Sequence, residues 1–330
     1  LLALLALDPR LAACAWERAL YLDTETTGLG PGAGTVAFLV GLAWFDPGFE
    51  GGDASRAGLV VEQLLVRQLG EEGPVLARVA ERLRDASMLV TFNGKSFDMP
   101  VLRTRFVMGR AELPPEPPHL DLVHVARRLH KARGFGSTLG AVEREVLGYV
   151  RENDVPSGEV SACYLHFLRT GDARALLGVV DHNAWDVVSM AALVGLYGEP
   201  LEGSSLAPDD LAGVARTLKR AGSVDLAFEV ADAACARGAS AHAVRARAEI
   251  AKARGDKARA LADFEALAAQ VDDAAVRLEL AKLYEHHAKD AARALELVRA
   301  GTGEDEARLA RRASRLERKM KAKGTSGKLW

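Results

Sequence analysis

From residue 19 the chain shows a repeated signature: short, nearly continuous apolar runs, each closed by a cluster of Gly, Pro, Asn, Asp or Thr. The first is Ala19-Leu20-Tyr21-Leu22, which passes through Asp23-Thr24-Glu25 into a turn at Thr26-Thr27-Gly28. Runs of this length between turn residues predict buried strands. Residues 35–45 predict a second strand, apolar on both faces, and residues 59–66 a third, interrupted by Glu62 and Gln63. Asp46-Pro47-Gly48 reads as a turn between them. Connections this short favour antiparallel hairpins. After Pro74 the period changes. Leu76, Val79, Ala80 and Leu83 fall on one face of a helix predicted over 74–86. A short strand over 88–92 follows, Asn93-Gly94 turns it, and a helix opens near Ser96 with Asp98 at or near its N-terminus.

The proline-rich stretch 114–118 leads into His119-Leu120-Asp121-Leu122, which predicts the start of a helix running through His130. His124, Arg127, Arg128, His130, Lys131 and Arg133 give that helix a basic face, either solvated or set against phosphates. Ser137 is placed to cap a helix over 138–147. Two more helices are predicted over 159–170 and 172–197. Residues 201–206 then read as a linker between a first domain, 1–200, and a second, 207–330.

The second half is helical throughout and internally repetitive. Leu226-Ala227-Phe228-Glu229, Arg259-Ala260-Leu261-Ala262 and Arg293-Ala294-Leu295-Glu296 recur at spacings of 33 and 34 residues, each after a short turn. The period and the helix-turn-helix form look like tetratricopeptide repeats, whose stacked pairs leave a concave face for a protein segment. The tail from Arg308 onward is basic, with Arg308, Arg311, Arg312, Arg315, Arg318, Lys319, Lys321, Lys323 and Lys328, and is either solvated or in contact with nucleic-acid backbone.

Composition narrows the class. At 330 residues, 49% hydrophobic and 27% charged, the chain is globular and long enough for two domains. The formal net charge of -2 excludes a global basic field, so any nucleic-acid contact must be local. Three scattered cysteines, Cys14, Cys163 and Cys235, exclude a disulfide framework or zinc spacing and point to a reducing cytoplasm. The leucine-rich start, 1–7, has no basic segment before it and no clear cleavage site after it, so a helix start is expected there. The chain begins without Met, which reads as a truncated N-terminus. No apolar run is long enough to span a membrane.

The candidate chemistry lies in the first half. Alternation along a strand sends Asp23 and Glu25 to one face and Thr24 to the other. Two neighbouring carboxylates are either solvated in an exposed turn or held together by a hard cation such as magnesium or manganese. Asp98 is a helix cap or a third ligand on the same reasoning. His182 and Asp186, four apart on a helix, share a face. The ordered set Asp23-Thr24-Glu25-Thr26-Thr27-Gly28-Leu29, Ala37-Phe38-Leu39-Val40-Gly41, Asn93-Gly94-Lys95-Ser96-Phe97-Asp98, His119-Leu120-Asp121-Leu122 and His182-Asn183 before Asp186 resembles the DEDD exonucleases of the ribonuclease H-like superfamily, and more closely the bacterial YprB-type family.

That resemblance, over roughly residues 15–200, implies an α/β ribonuclease H-like mixed sheet, its first three strands antiparallel and the remainder parallel, flanked by helices and followed by the all-α repeat domain. It implies a 3′→5′ exonuclease acting on a nucleic-acid 3′ end by a two-metal mechanism. Asp23, Glu25, Asp98 and Asp186 would hold two Mg²⁺ or Mn²⁺ ions, and His182 would take the place of the base. Three residues separate His182 from Asp186, where the best-known His-containing enzymes have four; the YprB-type pattern accommodates this. Asp121 matches an auxiliary position. From a different class comes the alternative of a catalytically silent, nucleic-acid-binding scaffold whose repeats recruit protein partners. A structure-specific endonuclease on the same fold is a third reading.

Overall fold

The computed structural model describes residues 1–28, 30, 32–46 and 58–326, with side chains to residue 322. Leu29, Pro47, Gly48, the Lys323 side chain and Lys328 lie outside the described residues. The chain divides into two compact units: Leu1–Arg128 with Gly134–Ser205, and Leu129–Arg133 with Leu206–Trp330.

In the first unit a short helix, α1 (Leu2–Ala6), buries Leu2 and Leu5. The sheet then forms from β1 (Ala19–Thr26), β2 (Ala37–Asp46) and β3 (Gly58–Leu65). α2 (Gly73–Asp85), β4 (Met88–Thr91), α3 (Asp98–Met108) and β5 (His119–Asp121) follow. The helices α4 (Leu122–Leu129), α5 (Leu139–Val142), α6 (Val160–Thr170) and α7 (Arg174–Gly198) complete the half. The strand order is β3-β2-β1-β4-β5. β1–β2 and β2–β3 are antiparallel, whereas β4 runs parallel to β1 and β5 parallel to β4. This is the mixed sheet expected from the sequence.

Alternation decides what each face meets. Leu20, Leu22, Val40 and Leu42 pack against Val75, Leu76, Val79 and Leu83 of α2 and Met99, Leu102 and Phe106 of α3. The side chains between them on β1 point at α7. Tyr164 of α6 stacks on Phe38, with ring centroids 4.0 Å apart, and donates its hydroxyl to the Val66 carbonyl at 2.9 Å.

Two local expectations are corrected. His119–Asp121 is a strand, not the first turn of a helix, because its backbone extends the ladder of β4 through Leu89↔His119 and Thr91↔Asp121. A partner strand overrides local pattern in so short a segment. The cap of α5 is Thr138, whose hydroxyl accepts from Ala141 N at 3.3 Å; the neighbouring Ser137 hydroxyl instead accepts from Arg127 Nε at 3.0 Å.

The second unit contains α8 (Pro208–Arg220), α9 (Val224–Arg237), α10 (Ala241–Arg254), α11 (Lys257–Ala268), α12 (Ala274–Leu283), α13 (Ala291–Arg299) and α14 (Glu306–Ser326). Val244, Phe264, Leu267, Leu280, Leu295, Val298 and Leu316 share its core. Aspartates cap α11 and α13: Asp256 accepts from Arg259 N at 3.0 Å and Asp290 from Arg293 N at 3.1 Å. His130, expected on a basic surface, is buried and bonded to the buried Asp210 at 2.8 Å, beside Arg133. The basic tail is likewise partly spoken for. Arg315 and Lys319 both reach the buried Glu285 at 2.7 Å, and Arg312 reaches Glu304 at 2.7 Å. Arg311 and Arg318 remain exposed.

Candidate functional site

The site is built at the end of β1. Asp23 lies opposite Gly41 on β2, and Glu25 opposite Leu39. A register shift between Glu25 and Thr26 ends the regular pairing there, as bulges do beside functional sites. Asn183 of α7, fully buried, donates Nδ2 to Asp23 Oδ2 at 2.8 Å. Gln63 of β3 donates Nε2 to Asn183 Oδ1 at 3.0 Å and to the Val180 carbonyl at 2.7 Å. Three strands and one helix thus aim a single carboxylate. Gly41 is required for this approach: a Cβ there would lie 2.3 Å from Asn183 Oδ1.

Asp98 arrives from the opposite face of the sheet, as the first residue of α3. Thr24, which alternation points toward α3, donates its hydroxyl to Asp98 Oδ1 at 2.6 Å. The loop before α3 is held by the buried Asp121, whose two oxygens accept from Asn93 N at 2.7 Å and Lys95 N at 3.1 Å. Those bonds fix Asn93 in the left-handed region at φ 71°. His119 joins the same brace, with its ring nitrogens 2.8 Å from Thr91 Oγ1 and from Glu116. Asp121 and His119 therefore shape the loop that delivers Asp98.

His182 and Asp186 project together from α7. The ligand atoms of Glu25, His182 and Asp186 all lie within 4.8 Å of one another, the one such group among the described residues. His182 Nε2 is 3.9 Å from Glu25 and 3.7 Å from Asp186, while its Nδ1 sits 2.6 Å from Asp154. A carboxylate only accepts, so Nδ1 carries the proton shared with Asp154 and Nε2 faces the acids. Asp23 and Asp98 stand outside that tight group but within electrostatic reach of it.

The charges are mutually frustrated. Burial, then the neighbouring Asp186, Asp98 and Glu25, hold the Asp23 carboxyl well above its ordinary range. Burial pushes Glu25 up to about 7 and Asp98 up to about 6. Burial also raises Asp186, against the pull of Arg151 and His182. For His182, burial opposes the charged form, but Asp186, Asp154 and Glu25 outweigh it and raise the imidazole. Four half-dry acids that resist ionising together lack positive charge. Hard carboxylate oxygens in this number suit magnesium or manganese, so the residues present fit such ions.

Sequence reasoning missed three members of the site. Arg151 donates to Asp186 through Nη2, and to Glu143 through Nε (2.8 Å) and Nη2. Glu143 is buried, and Asp154 orients His182. None of the three lies at a motif spacing. Asp154 belongs to a stretch that reads only as a turn, so no local signal marks them.

Residues 20–197 match the family described as the RNase_H superfamily. The chain is 37% identical, over 192 residues, to a protein of Bacillus subtilis (strain 168) named "Uncharacterized protein YprB". The alignment takes in 58% of this chain and 44% of that relative, so the chain spans under half of the relative's length.

Proposed function

This chain belongs to the RNase_H superfamily, and on that footing we propose that it is a divalent-metal-dependent nuclease that removes nucleotides from the 3′ end of single-stranded or frayed nucleic acid. One observation supports the reading: Glu25 of β1 and Asp186 of α7 lie beside the His182 imidazole, with Asp23 and Asp98 within electrostatic reach of them. Asp23, Glu25, Asp98 and Asp186 would hold two Mg²⁺ or Mn²⁺ ions, which when bound stabilise charge on the entering and leaving oxygens of a phosphodiester. The chain's own part is positioning and proton transfer. Asn183 and Thr24 fix the aim of Asp23 and Asp98. Asp154 holds the His182 proton on Nδ1, leaving Nε2 free to accept one from the attacking water. The helix pairs of the second unit, with their tetratricopeptide-like period, would dock a protein segment, and the three free cysteines suit a reducing cytoplasm.

One observation favours the second reading, a silent nucleic-acid-binding scaffold: Asp186 is already paired with Arg151. End-labelled DNA and RNA, single- and double-stranded, digested with Mg²⁺ or Mn²⁺ and with EDTA, separate the two. The nuclease reading expects stepwise shortening from the 3′ end that EDTA stops and Asp23→Ala abolishes. Undiminished activity of Asp23→Ala, or no cleavage of any substrate, refutes it.

A further inference from the structure

Arg151 is the one guanidinium that reaches the acid cluster among the described residues, and its placement is specific. Its side chain is 7% exposed, that of Glu143 1% and that of Asp186 14%. The fork of Nε and Nη2 grips both oxygens of Glu143, and Nη2 also donates to Asp186 Oδ1. Nη1 lies 3.3 Å from His182 Nδ1 and 3.6 Å from Asp154 Oδ2, and the guanidinium lies over the Trp185 ring, 5.7 Å from its centroid. A bidentate grip on a buried carboxylate fixes the group in orientation as well as charge. Glu143 therefore serves as the mount, and Asp186 is the acid that the mounted cation covers.

We propose that Arg151 is a built-in occupant of the cation position at Asp186 Oδ1, and that a divalent ion takes this oxygen only when Arg151 lets it go. The proposal rests on the nuclease reading above. Its physical content is competition for one oxygen. Asp186 Oδ1 already accepts from Nη2, so an ion that takes this oxygen must compete with a charge-assisted bond. The opposite face of Asp186, Oδ2 toward His182, stays available. An ion held by Asp23, Glu25 and Asp98 does not meet this obstacle. The two ions of the proposed mechanism should accordingly bind with unequal affinity, the weaker one at Asp186.

The test is direct Mn²⁺ binding to the full chain, by calorimetry and by the electron paramagnetic resonance of free Mn²⁺, with no substrate present. Arg151→Lys keeps the positive charge and a partner for Glu143 but cannot span Glu143 and Asp186 together. It should tighten the weaker Mn²⁺ by about tenfold or more, the cost of one hydrogen bond to a charged group. Arg151→Ala leaves Glu143 buried without its partner, so Arg151→Ala/Glu143→Gln is the version to measure; it should tighten Mn²⁺ at least as much. Should Arg151→Lys bind Mn²⁺ as the unaltered chain does, releasing the Asp186 oxygen from its second contact gains the ion nothing and the proposal is overturned. Asp186→Asn separates this from failure of the underlying reading. If Mn²⁺ binding is the same with and without the Asp186 carboxylate in every Arg151 background, Asp186 is not a ligand and the inference falls alone; if Asp23→Ala also leaves Mn²⁺ binding unchanged, the acids are not a metal site and the nuclease reading falls too. If the unaltered chain binds one ion and Arg151→Lys binds two, the proposal holds.

Discussion

Replacing Gly41 by Ala tests whether the Asp23 carboxylate is held as the structure describes. The new methyl would stand 2.3 Å from Asn183 Oδ1, 2.8 Å from its Cγ and 2.9 Å from Nδ2, where ordinary contact begins at 3.4 Å. The carboxamide must therefore retreat by about 1 Å, in a site already closed by Gln63 and Asp23. Overpacking of this kind costs roughly 1–3 kcal/mol. Stretching the 2.8 Å bond from Asn183 to Asp23 adds a share of the roughly 1.5–3 kcal/mol that a hydrogen bond to a charged group is worth. Gly41→Ala should then lose about 3 kcal/mol. In an Asn183→Ala background the obstructing amide is gone, and the same methyl should cost close to nothing. Urea unfolding followed by tryptophan fluorescence reads the effect, since Trp16, Trp44 and Trp185 all lie in the first unit. The expected coupling energy is at least about 1.5 kcal/mol. A Gly41→Ala cost equal in both backgrounds to within about 0.5 kcal/mol would refute the contact.

Three further outcomes are expected. Without divalent ions the first unit should lose stability as pH rises. A carboxyl raised in the folded state favours the protonated form, so its contribution is complete below the unfolded value of 4.5 and gone above about 7 for Glu25; that is about 3 kcal/mol. Urea midpoints at pH 5 and pH 8 check this, Mn²⁺ should remove the difference at pH 8, and a flat profile in EDTA counts against the frustrated acids. Thr24→Val, which deletes the 2.6 Å bond to Asp98, should cost roughly 1.5–3 kcal/mol and lower any nuclease activity; an unchanged urea midpoint would show the bond to be dispensable. In the second unit, Arg315 and Lys319 hold Glu285 down at about 2, against its burial. A depressed carboxyl stabilises above its unfolded value and is lost as pH falls toward 2, so Glu285→Gln should cost about 3 kcal/mol at neutral pH. Circular dichroism of the helical unit should also show less loss on acidification in that variant.

The two ion-pair clusters have different uses for charge. Around Glu285 the cations outnumber the acid, and a helix is fastened. Around Asp23 the acids outnumber the cations, and the imbalance costs stability. Such an imbalance is typical of sites arranged for chemistry rather than packing.

Much of this was legible in the chain because it depends on near neighbours. Strand alternation alone sent Asp23 and Glu25 to one side and Thr24 to the other, and helical spacing alone set His182 beside Asp186. Short connections made the first three strands antiparallel. The periodicity could not show that Thr24, on the supposedly idle face, would donate to Asp98 from a helix 74 residues on. Nor could it show that Gly41 is small because Asn183 lies against it. His119–Asp121 became a strand only because β4 was there to pair with it, and three cations of the basic tail, Arg312, Arg315 and Lys319, proved to be ion-paired. Arg151, Glu143 and Asp154 carry no spacing signal, since they meet through a loop whose path is set by packing. Local pattern fixes which way a side chain points within its element. Which distant groups it then meets, and whether a carboxylate finds a guanidinium or stays short of positive charge, is decided when the sheet and α7 close over the same few ångströms.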